Sequence, residues 1–231
     1  MRHLYNRGGR YTKPMSPTTR TYQKKFRALL SPAEHKLLKK LSTPQRVQDY
    51  LEALPQNFSK SAGETCRSVR RILQKKRAYC FEGAILAAAS LAYHGKVPLL
   101  LDLQTTDDDQ DHVLALFKEN GRWGAISKTN NPVLRWRDPV YTSVRELAMS
   151  YFHEYFLYKS GIKTMRAYSK PFDLTKYKPE VWVTGAESLD FIAEDLDDSP
   201  HFPAVSPKAI KKLRRATTLE RKILDLEEWE K

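Results

Sequence analysis

Cys80 opens a run from Phe81 to His94 in which only Glu82, Ser90 and His94 are polar. A cysteine at the start of a helix faces unpaired backbone N–H groups and the positive end of the helix dipole. Both favour thiolate over thiol, and the thiolate is the nucleophile. The chemistry expected of such a residue is attack on a carbonyl carbon, giving a thioester that water or an amine resolves. Amides at the helix start, that of Cys80 included, would hold the oxyanion. The basic cluster Arg67, Arg70, Arg71, Lys75, Lys76 and Arg77 lies just before Cys80 and adds positive potential. Cys66, the other cysteine, lacks this setting and reads as an inert thiol.

A thiol nucleophile needs a base, and the chain has six histidines. His3 lies in an acid-free arm and His35 on the polar side of a short helix. His94 closes the helix that Cys80 opens, roughly 20 Å away at 1.5 Å per residue. His201 stands among prolines after an acidic stretch. His112 begins an apolar run, His112 to Phe117, and is the expected base. His153 is the reserve candidate, on a helix that has an ordinary packing use for it.

The elements that must position these residues have readable start and stop signals. Ser31-Pro-Ala-Glu34 is a capping box that opens a helix to about Leu41. Thr43-Pro44 opens a second, with Val47, Tyr50, Leu51 and Leu54 on one face and Pro55 ending it. A basic segment, 65–76, carries Val69, Ile72 and Leu73 at helical spacing. The Phe81–His94 run, stopped by Gly95, is apolar all round and therefore a buried central helix. Val97–Leu103 and His112–Phe117 read as interior strands. Asn120-Gly121 is a hairpin turn, and Arg122–Ser127 returns as a third strand. Ser143 opens a helix through Met149, Phe152 and Tyr155. Trp182 and its flanking valines suit a late strand, and Ser206-Pro207 opens a long charged terminal helix carrying Ile210, Leu213, Leu219, Ile223 and Leu226.

This order is an α+β pattern: a central buried helix on an antiparallel sheet, with extra helices at both ends. The expected organisation is a basic arm over 1–30, a helical N-terminal unit over 31–60, a core over 61–160, and an extension over 161–231 with an acidic segment and the terminal helix. A two-residue turn at Asn120-Gly121 pairs Glu119 with Arg122, Leu114 with Ser127 and His112 with Thr129. His112, Leu114, Ser127 and Thr129 then share one face, and Ser127 becomes the diagonal neighbour of His112. A three-residue loop would slip the register and remove Ser127 from that face.

A cysteine heading a buried helix, a histidine starting a strand and a Gly-Trp hairpin return resemble the transglutaminase-like core of papain-related cysteine enzymes. The resemblance covers roughly residues 65–130, and Thr43–Phe58 is similar to a segment that precedes this core in bacterial members. It implies a transglutaminase-like fold, Cys80 as nucleophile, His112 as base, and a peptide or protein amide as substrate, hydrolysed or transamidated. It also implies an aspartate at the end of a Trp-x-x-x-Asp return strand. This chain reads Trp123-Gly-Ala-Ile-Ser127, so Ser127 occupies the third position. Asn130 is the alternative, although simple alternation puts it on the opposite face, and Asp138 is a more distant substitute. A serine accepts an imidazole N–H but does not stabilise an imidazolium as a carboxylate does. A second expectation therefore stands beside catalysis: a degenerate core serving as a binding or scaffold module.

Composition bounds the rest. With 41% hydrophobic and 11% aromatic residues the 231-residue chain can bury a core, which excludes global disorder. The net charge is +13, and residues 1–30 hold eight Lys or Arg and no acid. That balance permits nucleic-acid association, but no RNA-recognition, zinc-finger or basic-zipper signature accompanies it, so specific recognition is not expected. Two cysteines without a Cys/His ligand cluster argue against structural zinc. Asp107–Asp109 reads as a solvated turn rather than a metal loop. No cofactor motif is present. No apolar run approaches the ~18 residues of a membrane span, and no signal-peptide core is seen, so a cytoplasmic, reducing setting is the expectation. The acid-free arm also has the composition of a transit peptide, which leaves a second localisation open.

Overall fold

The structure, a computed structural model, describes residues 17–57 and 65–226. It joins helices to an antiparallel sheet, an α+β arrangement. The N-terminal helices are α1 (Pro17–Ala28), α2 (Pro32–Lys40), α3 (Pro44–Ala53) and α4 (Val69–Lys75). Ser31 and Glu34 form the full capping box of α2, and the Thr43 hydroxyl accepts from the Arg46 amide at the head of α3. The central helix α5 (Cys80–Tyr93) is buried at every position.

Strands β1 (Leu99–Gln104), β2 (His112–Glu119), β3 (Arg122–Ile126) and β4 (Arg137–Tyr141) follow. Asn120 and Gly121 both have positive φ, at 49° and 79°, which is the two-residue turn that matches strand twist. The register is the one this turn sets, with Glu119 opposite Arg122 and Ala115 opposite Ile126. The segment after residue 160, read from the sequence as an extension, supplies three more strands: β5 (Ala167–Ser169), β6 (Phe172–Asp173) and β7 (His201–Pro203). The order is β4-β3-β2-β1-β5-β7, with β6 also paired to β1.

Side-chain alternation gives the sheet two apolar faces. Leu100, Val113, Ala115, Phe117 and Ile126 pack with α5 and the N-terminal helices. Leu101, Leu103, Leu114, Leu116 and Ala125 face a second layer that includes Leu147, Tyr151, Phe152, Tyr155 and Met165. Helices α6 (Val144–Met149), α7 (Asp190–Asp197), α8 (Pro207–Ile210) and α9 (Thr218–Arg221) complete the chain.

Five expectations need correction. The arm expected over 1–30 contains α1, whose Phe26 is fully buried against Trp182 with ring centroids 5.9 Å apart. Residues 1–16 lie outside the described residues. The Trp182 segment is a single wide helical turn, Glu180–Thr184, not a strand. Its indole N–H donates to the Tyr22 hydroxyl at 2.8 Å and its ring meets Phe26, contacts that hold the segment against α1 rather than at a sheet edge. The helix opened by Ser143 stops at Met149, where Arg137 bonds the Ser150 hydroxyl and carbonyl, and a short 3-10 turn carries Phe152 onward. The long terminal helix is broken into α8 and α9 because the Ala216 amide bonds the Gly161 carbonyl, and a new capping box starts at Thr217. Half of the basic cluster before Cys80 is committed to structure: Arg70 pairs with Glu34 at 2.9 Å, Arg71 donates to the Ala186 carbonyl, and Arg67 lies 3.8 Å from Glu82, while Lys75, Lys76 and Arg77 are exposed.

Candidate functional site

Cys80 is the first residue of α5, and its N-cap, Tyr79, offers no side-chain hydrogen bond to the first turn. The Glu82 carboxylate, three positions into α5, does not reach back to cap it either. It turns instead to the Thr65 hydroxyl at 2.7 Å, the Asn57 amide at 2.9 Å and the Arg67 N–H at 3.2 Å. The first turn of this 14-residue helix is thus not capped by the side chain of Tyr79. Cys80 itself is 5% exposed, while burial pushes the Cys66 thiol far up.

His112 begins β2 directly opposite Leu103. Its Nε2 lies 2.6 Å from the Ser127 hydroxyl, the contact that the diagonal register brings within reach. Burial, aided by the Arg137 charge, lowers His112 to about 4, so the ring is neutral at pH 7. In the tautomer whose Nε2–H donates to Ser127, Nδ1 presents its lone pair.

The strand β3 ends at Ile126, and the chain from Ser127 to Asn131 forms a buried strap. Gln48 clamps it from α3: the side-chain oxygen accepts from the Ser127 amide at 3.0 Å and the side-chain nitrogen donates to the Ser127 carbonyl at 2.9 Å. The strap passes over the first turn of α5, where Gly83 is required. A Cβ on Gly83 would sit 2.3 Å from the Lys128 Cβ. Because the strap is not a strand, alternation fails beyond Ile126, and Asn130 is not turned away. His112, Thr129, Asn130, Tyr79 and Tyr155 line one cavity of about 250 Å³.

Cys80 lines an adjoining cleft with Asp102, Asp111 and Val113. Asp109, Gln110 and Asp111 form a wall common to both spaces. The Tyr79 hydroxyl, next to Cys80 in the chain, donates to the Gln110 side chain at 2.8 Å and ties that wall to the head of α5. The helix packs on β2 through Val113, Ala115 and Phe117, so His112 projects with Leu103 and Leu114 on the other face. This differs from a base lying directly under the helix. Tyr155, which lines the His112 cavity, has its phenol raised by burial first, then by Asp109 and then by Cys80.

Asp138 is exposed on β4 and lines neither space, and His153 is exposed on a 3-10 turn. The Asp107–Asp109 segment is a turn, and among the described residues no group of three or more His, Cys, Asp or Glu side chains is arranged to hold a metal ion.

Two features escaped the sequence. One is Tyr155, whose hydroxyl is buried without a hydrogen-bond partner among the described residues. The other is a carboxylate–histidine pair, with His201 Nε2 3.0 Å from Asp102 and His201 Nδ1 2.6 Å from the Ser199 carbonyl. An imidazolium satisfies both acceptors with its two N–H groups. The hydrogen bond to Asp102 raises His201, while burial raises Asp102 to about 6. No local spacing announces a pair whose members are 99 positions apart. No protein-family model matches the chain, and no curated protein is similar to it at a significant level.

Proposed function

We propose that the chain is a thiol acyl-transfer enzyme of transglutaminase-like type, acting on a peptide or protein amide through Cys80 and His112. The observation that carries the reading is the 2.6 Å contact of His112 Nε2 with Ser127, which orients the ring; in this reading Nε2 carries the ring proton and Nδ1 is the acceptor. In this reading Cys80 Sγ attacks the carbonyl carbon as His112 takes the thiol proton, and the imidazolium returns it to the leaving amine. The thioester is then resolved by water or by a second amine. Amides of the first turn of α5 and the unpaired Tyr155 hydroxyl are the donors for the oxyanion. A neutral, buried His112 without a carboxylate partner makes proton transfer concerted with attack. It does not support a stored thiolate–imidazolium pair.

The test is alkylation by iodoacetamide at pH 7, read residue by residue by mass spectrometry. Cys80 should react several-fold faster than N-acetylcysteine and lose that advantage in His112→Gln, with Cys66 as an internal control. A Cys80 no faster than N-acetylcysteine would remove the activated-thiol reading. A second reading, a degenerate core used for binding, is favoured by serine at position 127 and by the projection of His112 away from α5. Cys80→Ala with an unchanged cellular phenotype would support it.

A further inference from the structure

The cleft beside Cys80 has a charge opposite to that of the molecule. The chain carries +13 overall, yet this cleft is bounded by Asp102, Asp107, Asp109, Asp111 and Asp197, with no Lys or Arg among its described lining residues. Asp109 and Asp111 use oxygens to hold the loop: Asp109 accepts from the Thr164 hydroxyl at 2.5 Å, and Asp111 from the Thr105 amide at 2.7 Å. Those hydrogen bonds are to neutral donors and leave the negative charges in place. His201 bonds Asp102 and also bears on Asp197, while Asp107, Asp109 and Asp111 face no Lys or Arg among the described lining residues.

A second observation points to an occupant. Asp102 is fully buried at the margin of this cleft, and its Oδ1 has no hydrogen-bond partner among the described residues, although Oδ2 is held by His201. A buried carboxylate oxygen without a donor is an unmet acceptor. No described cluster has the geometry of a metal shell, so the complement is an organic cation bearing N–H donors. The volume, about 350 Å³, suits one side chain rather than a folded partner.

We propose that this cleft is a subsite for the arginine or lysine side chain of a peptide, bound next to Cys80. The guanidinium or ammonium group lies among the aspartates, and the remaining basic surface of the protein repels the same group elsewhere. The subsite deepens the acyl-transfer reading and rests on it for the fate of the peptide, making a basic residue the specificity determinant of the substrate. Binding itself is measured apart from chemistry.

The experiment is calorimetric titration of the full chain with an N-acetylated, C-amidated Ala-Arg-Ala peptide and with its neutral citrulline isostere. The arginine peptide should bind about tenfold more tightly, the effect of two partly exposed ion pairs. Asp107→Asn combined with Asp197→Asn, both at exposed positions, should remove most of that advantage without changing the thermal midpoint. Equal affinity for the two peptides, or a full advantage retained in the double variant, would overturn the proposal. Preference for arginine with an inert Cys80 would keep the subsite and remove the acyl-transfer reading. A reactive Cys80 without that preference would do the reverse.

Discussion

Acid should destabilise this protein through His112 in a way that one substitution removes. The folded ring titrates at about 4 against 6.5 for an ordinary histidine, because burial opposes its charge. A depressed histidine binds fewer protons folded than unfolded, so its contribution is favourable above pH 6.5 and is progressively lost down to pH 4. Between pH 7 and pH 5 the unfolded histidine becomes almost fully charged while the folded one stays neutral, a loss of about 2 kcal/mol. Asp102, raised from 3.8 to about 6, acts in the opposite sense, since the folded state holds its proton as pH falls. His201, Glu82 and Asp197 are raised as well, so the total slope mixes several effects, and a comparison isolates that of His112. In His112→Gln the amide nitrogen replaces Nε2 toward Ser127 and no longer titrates. Urea unfolding followed by tryptophan fluorescence at pH 5 and pH 7 should show wild type losing about 2 kcal/mol more than the variant over this interval. Parallel pH dependence of the two proteins would refute a neutral, buried His112.

Ser127→Asp places a carboxylate at the ring nitrogen and should raise the His112 midpoint by about one to three pH units. An imidazole NMR titration reads this directly, and Cys80 alkylation at pH 7 should accelerate with it. Gly83→Ala drives a methyl group into the Lys128 side chain and should lower stability by about 1–3 kcal/mol in urea unfolding. An unchanged midpoint would mean that the strap does not rest on α5.

Much of the frame was legible because its signals are local. The capping residues of α2 and α3, the apolar run of α5 and the Asn-Gly turn each act within a few positions. The hairpin register even placed Ser127 beside His112. What escaped was set by long-range partners. The acid-free composition around α1 conceals a helix whose value lies in Tyr22 and Phe26 meeting Trp182. The short strands β5, β6 and β7 carry almost no periodicity and exist because β1 offers an open edge. His201 looked like a loop residue among prolines until β7 brought it to Asp102.

Gln48 carries a final consequence. Its side-chain amide satisfies both the N–H and the carbonyl of Ser127, the task a neighbouring strand would perform, although Gln48 belongs to a helix that reads from sequence as mere packing. Detachment of α3 and release of the strap are therefore one cooperative event. The helices between residues 31 and 54 belong to the same folding unit as His112 and cannot be trimmed as an accessory. Slow exchange of the Ser127 amide with solvent hydrogen would be a clock for the opening of α3, not of the sheet that ends at Ile126.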